Sequence, residues 1–239
     1  MKLHTVLFYG LLVAAPVFAG HPGSFDLNPR QATPGLRVEL QEIPSGRDIV
    51  SKRFRLLATD YPRDGVYSVY TKDFTDSFVE AARGFRVDAL GSLVSNNLSG
   101  SQRLQDLEFG PGPYPRGAAW GVAIVSADRL IMAFGHVIPY PITAQDRGCS
   151  LSLELLTQRG DRFLVTGSGF SPGEDVITEA SFDGRVVQRR RQISADGALP
   201  RHVISHAARG TDRTARYTAK SRSCSVAVDY EWGELALKR

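Results

Sequence analysis

Apolar residues along this chain recur at every second position in short runs, not at the three-to-four spacing of a helix. In "CSVAVDYEW" the side chains of Cys224, Val226, Val228 and Tyr230 fall on one face, and those of Ser225, Ala227, Asp229 and Glu231 on the other. That is the pattern of a half-buried strand. The same alternation, punctuated by turn residues, marks "GLRVELQEI", "RFRLLATDY", "GVYSVYT", "GFRVDALGSLV", "WGVAIVSAD" and "RLIMAFGHV" in the first half. It marks "CSLSLELL", "RFLVTGSGF", "EDVITEASF", "GRVVQRRRQISADG" and "TARYTAK" in the second. The best helix candidate, "FTDSFVEAAR" at residues 74–83, is a few turns at most. Many short strands between regular turns predict an all-β protein, a sandwich or a barrel.

The pattern also repeats. "RFRLLATDYPRDGVYSVYT" from Arg53 aligns with "RFLVTGSGFSPGEDVITEA" from Arg162: Arg-Phe, an apolar alternation, an aromatic (Tyr61, Phe170), a proline (Pro62, Pro172) and a new strand. Downstream, "VDALGSLV" matches "ISADGALP", and the pairs Arg116-Gly117 and Arg209-Gly210 precede the last strands of each copy. Three matches in one order predict two tandem sandwich modules, residues 36–144 and 145–239, after an extended leader at 20–35. A single larger sandwich is the alternative.

Residues 1–19 read as a secretory signal peptide, with Lys2 in front of an apolar run at 6–17 and a cleavage site after Ala19. The apolar run is too short to span ~30 Å of hydrocarbon. Residues 120–142 are largely apolar too, but Asp128, Arg129 and His136 interrupt them and Pro139 and Pro141 close them. Two strands and a turn account for them better than a membrane span, so the mature chain is expected to carry no transmembrane segment. Export implies a periplasmic or secreted protein in an oxidising space, where the two cysteines, Cys149 and Cys224, suggest a disulfide. Two buried free thiols are the alternative.

The segment "FLVTGSGFSPGEDVITEASFDG", followed by "ISADGAL" and "CSVAVDYEWGELAL", resembles bacterial immunoglobulin-like modules, in which a G-x-G-F-x-P-G-E turn links two early strands. The resemblance covers residues 149–239. The first copy keeps the order but has "DYPRDG" at the turn. It implies two immunoglobulin-like β-sandwiches and the roles such modules mostly serve: spacer, adhesin or binding module.

No catalytic constellation is recognisable. Gly167, Gly169 and Gly173 have the wrong spacing for a dinucleotide loop, Pro172 interrupts them, and a strand follows where a phosphate-binding helix is needed. A G-x-S-x-G nucleophile turn is absent. Asp73, Asp76 and Glu80 read as a solvated face. No cofactor is expected. The enzyme alternative rests on His21: cleavage after Gly20 would make it the mature N-terminus, similar to copper-dependent polysaccharide oxidases and periplasmic copper carriers, with His136, His202 or His206 as further ligands. Cleavage there puts bulky Phe18 where a small residue belongs. His202 and His206 share a strand face but lie about 13 Å apart, too far for one metal.

Two binding features remain. Tyr61, Tyr67, Tyr70, Phe74 and Phe78 crowd one region, and the alternation of Tyr67 and Tyr70 predicts that at least one faces outward, to stack on a sugar or anchor a protein. The chain carries 29 basic residues, 24 of them arginine, against 25 acidic. Residues 20–148 are charge-neutral and the excess lies after residue 149, with Arg185, Arg189, Arg190 and Arg191 clustered in "RVVQRRRQ". Such a patch fits an anionic partner, or simply an edge protected against aggregation. Aromatic interleaving of the kind nucleic acid needs is missing. The expected partner is a protein or glycan of the cell envelope.

Overall fold

The computed structural model describes residues 27–44, 51–74, 77–98, 100–207 and 213–238. The signal peptide, His21 and Asp76 lie outside them. The fold is all-β. In the first half, β1 (Arg37–Ile43) and β2 (Arg53–Thr59) form an antiparallel pair. A six-stranded antiparallel sheet follows, in the order β6-β5-β4-β3-β7-β8, from β3 (Tyr67–Lys72), β4 (Phe78–Val87), β5 (Leu93–Leu98), β6 (Gly100–Arg103), β7 (Trp120–Ser126) and β8 (Met132–Val137).

Two four-stranded sheets make up the second half as a β-sandwich. One has the order β14-β11-β10-β9, from β9 (Ile142–Asp146), β10 (Cys149–Leu155), β11 (Arg162–Ser168) and β14 (Leu199–Ser205). The other has the order β13-β12-β15-β16, from β12 (Asp175–Phe182), β13 (Arg185–Gln192), β15 (Thr214–Lys220) and β16 (Ser225–Glu231). A disulfide joins Cys149 on β10 to Cys224 just before β16, with 6.4 Å between the Cα atoms, and so ties the two sheets together. The boundary expected at 144/145 falls inside β9, which pairs with β10 from Ile142↔Leu153 to Asp146↔Cys149, so the second sheet pair starts at Ile142.

A single buried core runs through both halves, from Val38, Phe54 and Trp120 to Leu153, Phe163 and Trp232. The junction is sewn by backbone hydrogen bonds: Gly117 N–H to Tyr140 O at 2.7 Å and Leu155 N–H to Gly117 O at 2.8 Å.

The G-x-G-F-x-P-G-E stretch is a strand end and a turn. Gly169 has φ +80°, and a Cβ there would lie 2.0 Å from the Gly148 carbonyl oxygen, so no other residue fits without backbone movement. The next residue, Phe170, plugs the core. Ser171 N–H donates to Glu174 Oε1 at 3.0 Å and Glu174 N–H donates to Ser171 O at 3.2 Å, which closes the turn, while Gly173 N–H donates to Ile193 O at 3.1 Å. The matching positions of the first copy behave alike: Asp60 has φ 69°, and Tyr61 is buried.

Two expectations are corrected. Residues 78–83 of the helix candidate lie in β4, because its pairing with β3 and the burial of Phe78 outweigh a weak local helical pattern. Neither Tyr67 nor Tyr70 faces outward. Both sides of the sheet are covered, so Tyr67 enters the main core while Tyr70 enters a smaller cluster with Leu27, Phe78, Ala123 and Val125.

Candidate functional site

The strand register brings Phe78, Lys72, Gly121 and His136 into one row across β4, β3, β7 and β8. Gly121 leaves the middle of that row without a side chain, and a Cβ there would come within 3.8 Å of the Phe78 ring. Beside it, Phe134 meets Phe78 edge to face with 5.8 Å between centroids, and Lys72 Nζ stands 5.6 Å from the Phe78 centroid. Phe74 follows β3, while Glu154 and Leu156 arrive from the end of β10. Together they enclose a groove of about 420 Å³ at the junction of the halves.

The groove's walls are phenylalanine and leucine, and its rim carries Lys72, Asp73, His136 and Glu154. Burial raises the Asp73 carboxyl above its ordinary pKa. An apolar pocket with a few convergent polar groups is the usual form of a ligand site. This one suits a ring-sized group with an apolar face and a hydrogen-bonding edge.

His136 is therefore placed apart from the other two described histidines, which sit at the β14 side of the sandwich. Pro200 O can only accept, so His202 donates its Nδ1–H there (2.8 Å) and its Nε2 accepts from the Tyr217 hydroxyl at 2.8 Å. Burial lowers the His202 pKa, and Arg191 nearby adds to that. His206 Nε2 shares a 2.9 Å hydrogen bond with the Tyr230 hydroxyl. Its ring is packed against Phe182 and Trp232, with centroids 4.4 and 5.1 Å away. Burial lowers the His206 pKa to about 4, although Asp161 pulls it upward. Both imidazoles thus serve as acceptors or partners of buried tyrosines.

Arg185, Arg189, Arg190 and Arg191 all lie on β13, an edge strand. Pairing with β12 puts Arg185, Arg189 and Arg191 opposite Phe182, Thr178 and Val176, on one face, and Arg190 opposite Ile177 on the other. The groove itself was not readable from sequence. Phe78 and Phe134 were visible as apolar alternation, but only the sheet order sets them side by side and carries Leu156 to them.

The chain matches no protein-family model and no curated protein sequence. Among solved structures, one described as the crystal structure of a tetra-tandem repeat in the extending region of a large adhesion protein is similar to 82% of this chain, at 16% identity and a TM-score of 0.26. The chain spans 48% of that structure's length.

Proposed function

We propose that this chain is an exported, non-catalytic binding module of the cell envelope, built of two tandem immunoglobulin-like sandwiches, with the phenylalanine groove as its ligand site. The groove carries the reading: Phe74, Phe78 and Phe134 gathered over a glycine floor, with charged groups on the rim. A glycan fits such a site, because a pyranose ring offers an apolar C–H face to an aromatic wall and hydroxyls to the rim. The disulfide supports an oxidising compartment, and the apolar run after Lys2 supports export.

The test is a calorimetric titration of the secreted protein with oligosaccharides from envelope polysaccharides. Binding should weaken by about tenfold in Phe134→Ala, the loss of one aromatic contact. His136→Ala, a rim change on an exposed residue, should weaken it without altering the thermal unfolding. Unchanged affinity in both variants overturns the assignment. So does a mature chain that begins at His21 and holds stoichiometric copper, by N-terminal sequence and metal content.

A further inference from the structure

The two halves share a sheet order, β4-β3-β7-β8 in the first and β13-β12-β15-β16 in the second. They differ at one edge. In the first half β5 pairs with the end of β4, through Phe85↔Ser95, Arg86↔Val94 and Val87↔Leu93. In the second, the chain leaves β13, turns at residues 193–198 and joins the opposite sheet as β14 beside β11. Among the described residues, β12 is the strand that pairs with β13, and the outer backbone edge of Arg185–Gln192 stays open. The end of β4 that receives β5 corresponds to the end of β13 that carries Arg189, Arg190 and Arg191.

Most devices that make an edge unfit to pair are missing from β13. Its register with β12 runs from Asp175↔Gln192 to Phe182↔Arg185 without a shift, and it contains neither proline nor lysine. Val186 and Val187 are 60% and 40% exposed. What remains is charge, and it has one sign. Among the described residues, Arg185 and Arg189 are exposed and pair with no carboxylate, Arg190 reaches Asp175 only at 3.9 Å, and Arg191 is half-buried with its Nε away from solvent. A row of arginines rejects an apolar strand. It also rejects a second β13, since antiparallel self-pairing would set the two arginine rows side by side. Arg185 and Arg189, four residues apart on one face, fit carboxylates at the same spacing, which guanidinium groups bind with two parallel hydrogen bonds.

We infer that the free edge of β13 takes up an extended acidic segment of a partner protein by strand addition. The backbone ladder supplies affinity, and the exposed Arg185 and Arg189, on one face of β13, select carboxylates on the matching face of the incoming strand. This surface is separate from the phenylalanine groove and stands or falls independently of it.

The experiment titrates the full mature protein with a synthetic peptide alternating glutamate and valine. Saturable binding should weaken as salt rises, and the β13 amides should gain protection from hydrogen exchange. Arg185→Ala combined with Arg189→Ala, both at exposed positions, should weaken it by about tenfold or more with thermal unfolding unchanged. Two N-methylated versions, blocked at odd or at even positions, separate strand addition from plain charge attraction: one should bind and the other should not. Equal binding of both versions overturns the inference, as does the absence of binding at low salt. Self-association of the protein abolished by the same arginine changes also overturns it, since a second copy would then be the occupant.

Discussion

The first half and the second half build the same four-strand sheet and finish it differently. After β4 the chain continues in that sheet and covers the end of that edge, Phe85–Val87, with β5 and then β6, while the facing layer stays a two-stranded pair. After β13 the chain crosses over, completes the facing layer with β14 and leaves the edge bare. The lesson is that one connection decides which surface a sandwich offers. An edge capped at one end leaves the first half a sheet end and a groove; an open edge gives the second a charged backbone rim. The halves differ in fastening too, since Cys149–Cys224 clamps the second.

Four tests break or sharpen this comparison, in falling order of effect. Cys224→Ala removes a bridge across a separation of 75 residues and should cost about 4 kcal/mol. Hydrogen exchange should show the loss at β16 and leave β3 protected; equal loss in both would mean the halves share one unfolding unit, as their continuous core allows.

Acid should also single out the second half. The folded-state pKa of His206 lies near 4 against an unfolded 6.5, so the unfolded chain binds the extra proton between these values. Stability is full above pH about 6.5 and falls by roughly 2–3 kcal/mol as the pH drops toward 4. His206→Gln should flatten that slope in a pH series of urea unfolding curves.

Gly169 and Asp60 occupy equivalent left-handed positions, but Gly169 is pressed on Gly148. Gly169→Ala should cost at least about 2 kcal/mol in denaturant unfolding. The reciprocal Asp60→Gly should shift stability by less than about 1 kcal/mol. Last, the Tyr61 hydroxyl is buried with no hydrogen-bond partner among the described residues, where the second copy has Phe170. Tyr61→Phe should therefore raise stability by about 1 kcal/mol, and a fall would reveal a partner for that hydroxyl.

Period-two alternation and the repeat made the strands and the equivalence of Tyr61 and Phe170 legible in the sequence. So was the pairing of Cys149 with Cys224, expected from two cysteines in a chain read as exported, with Cys224 on the inward phase of the alternation. Alternation misled at Tyr70, because it says which residues share a face and not whether that face meets water; here Leu27, far away in sequence, covers it. It misled at residues 78–83, where Phe78 and Ala82 fit either period and strand pairing decided. The groove needs contacts between β4, β8 and the end of β10, and no local pattern encodes those.

The bridge from the start of β10 to the residue before β16 also sets how that half answers a mechanical load. Tension entering at Cys149 passes straight to Cys224 through the sulfur atoms and skips the intervening strands. A separation of 75 residues amounts to roughly 250 Å of extended chain that cannot be drawn out while the bond holds. Oxidised, this half is a short, nearly inextensible link; reduced, it becomes a long slack one.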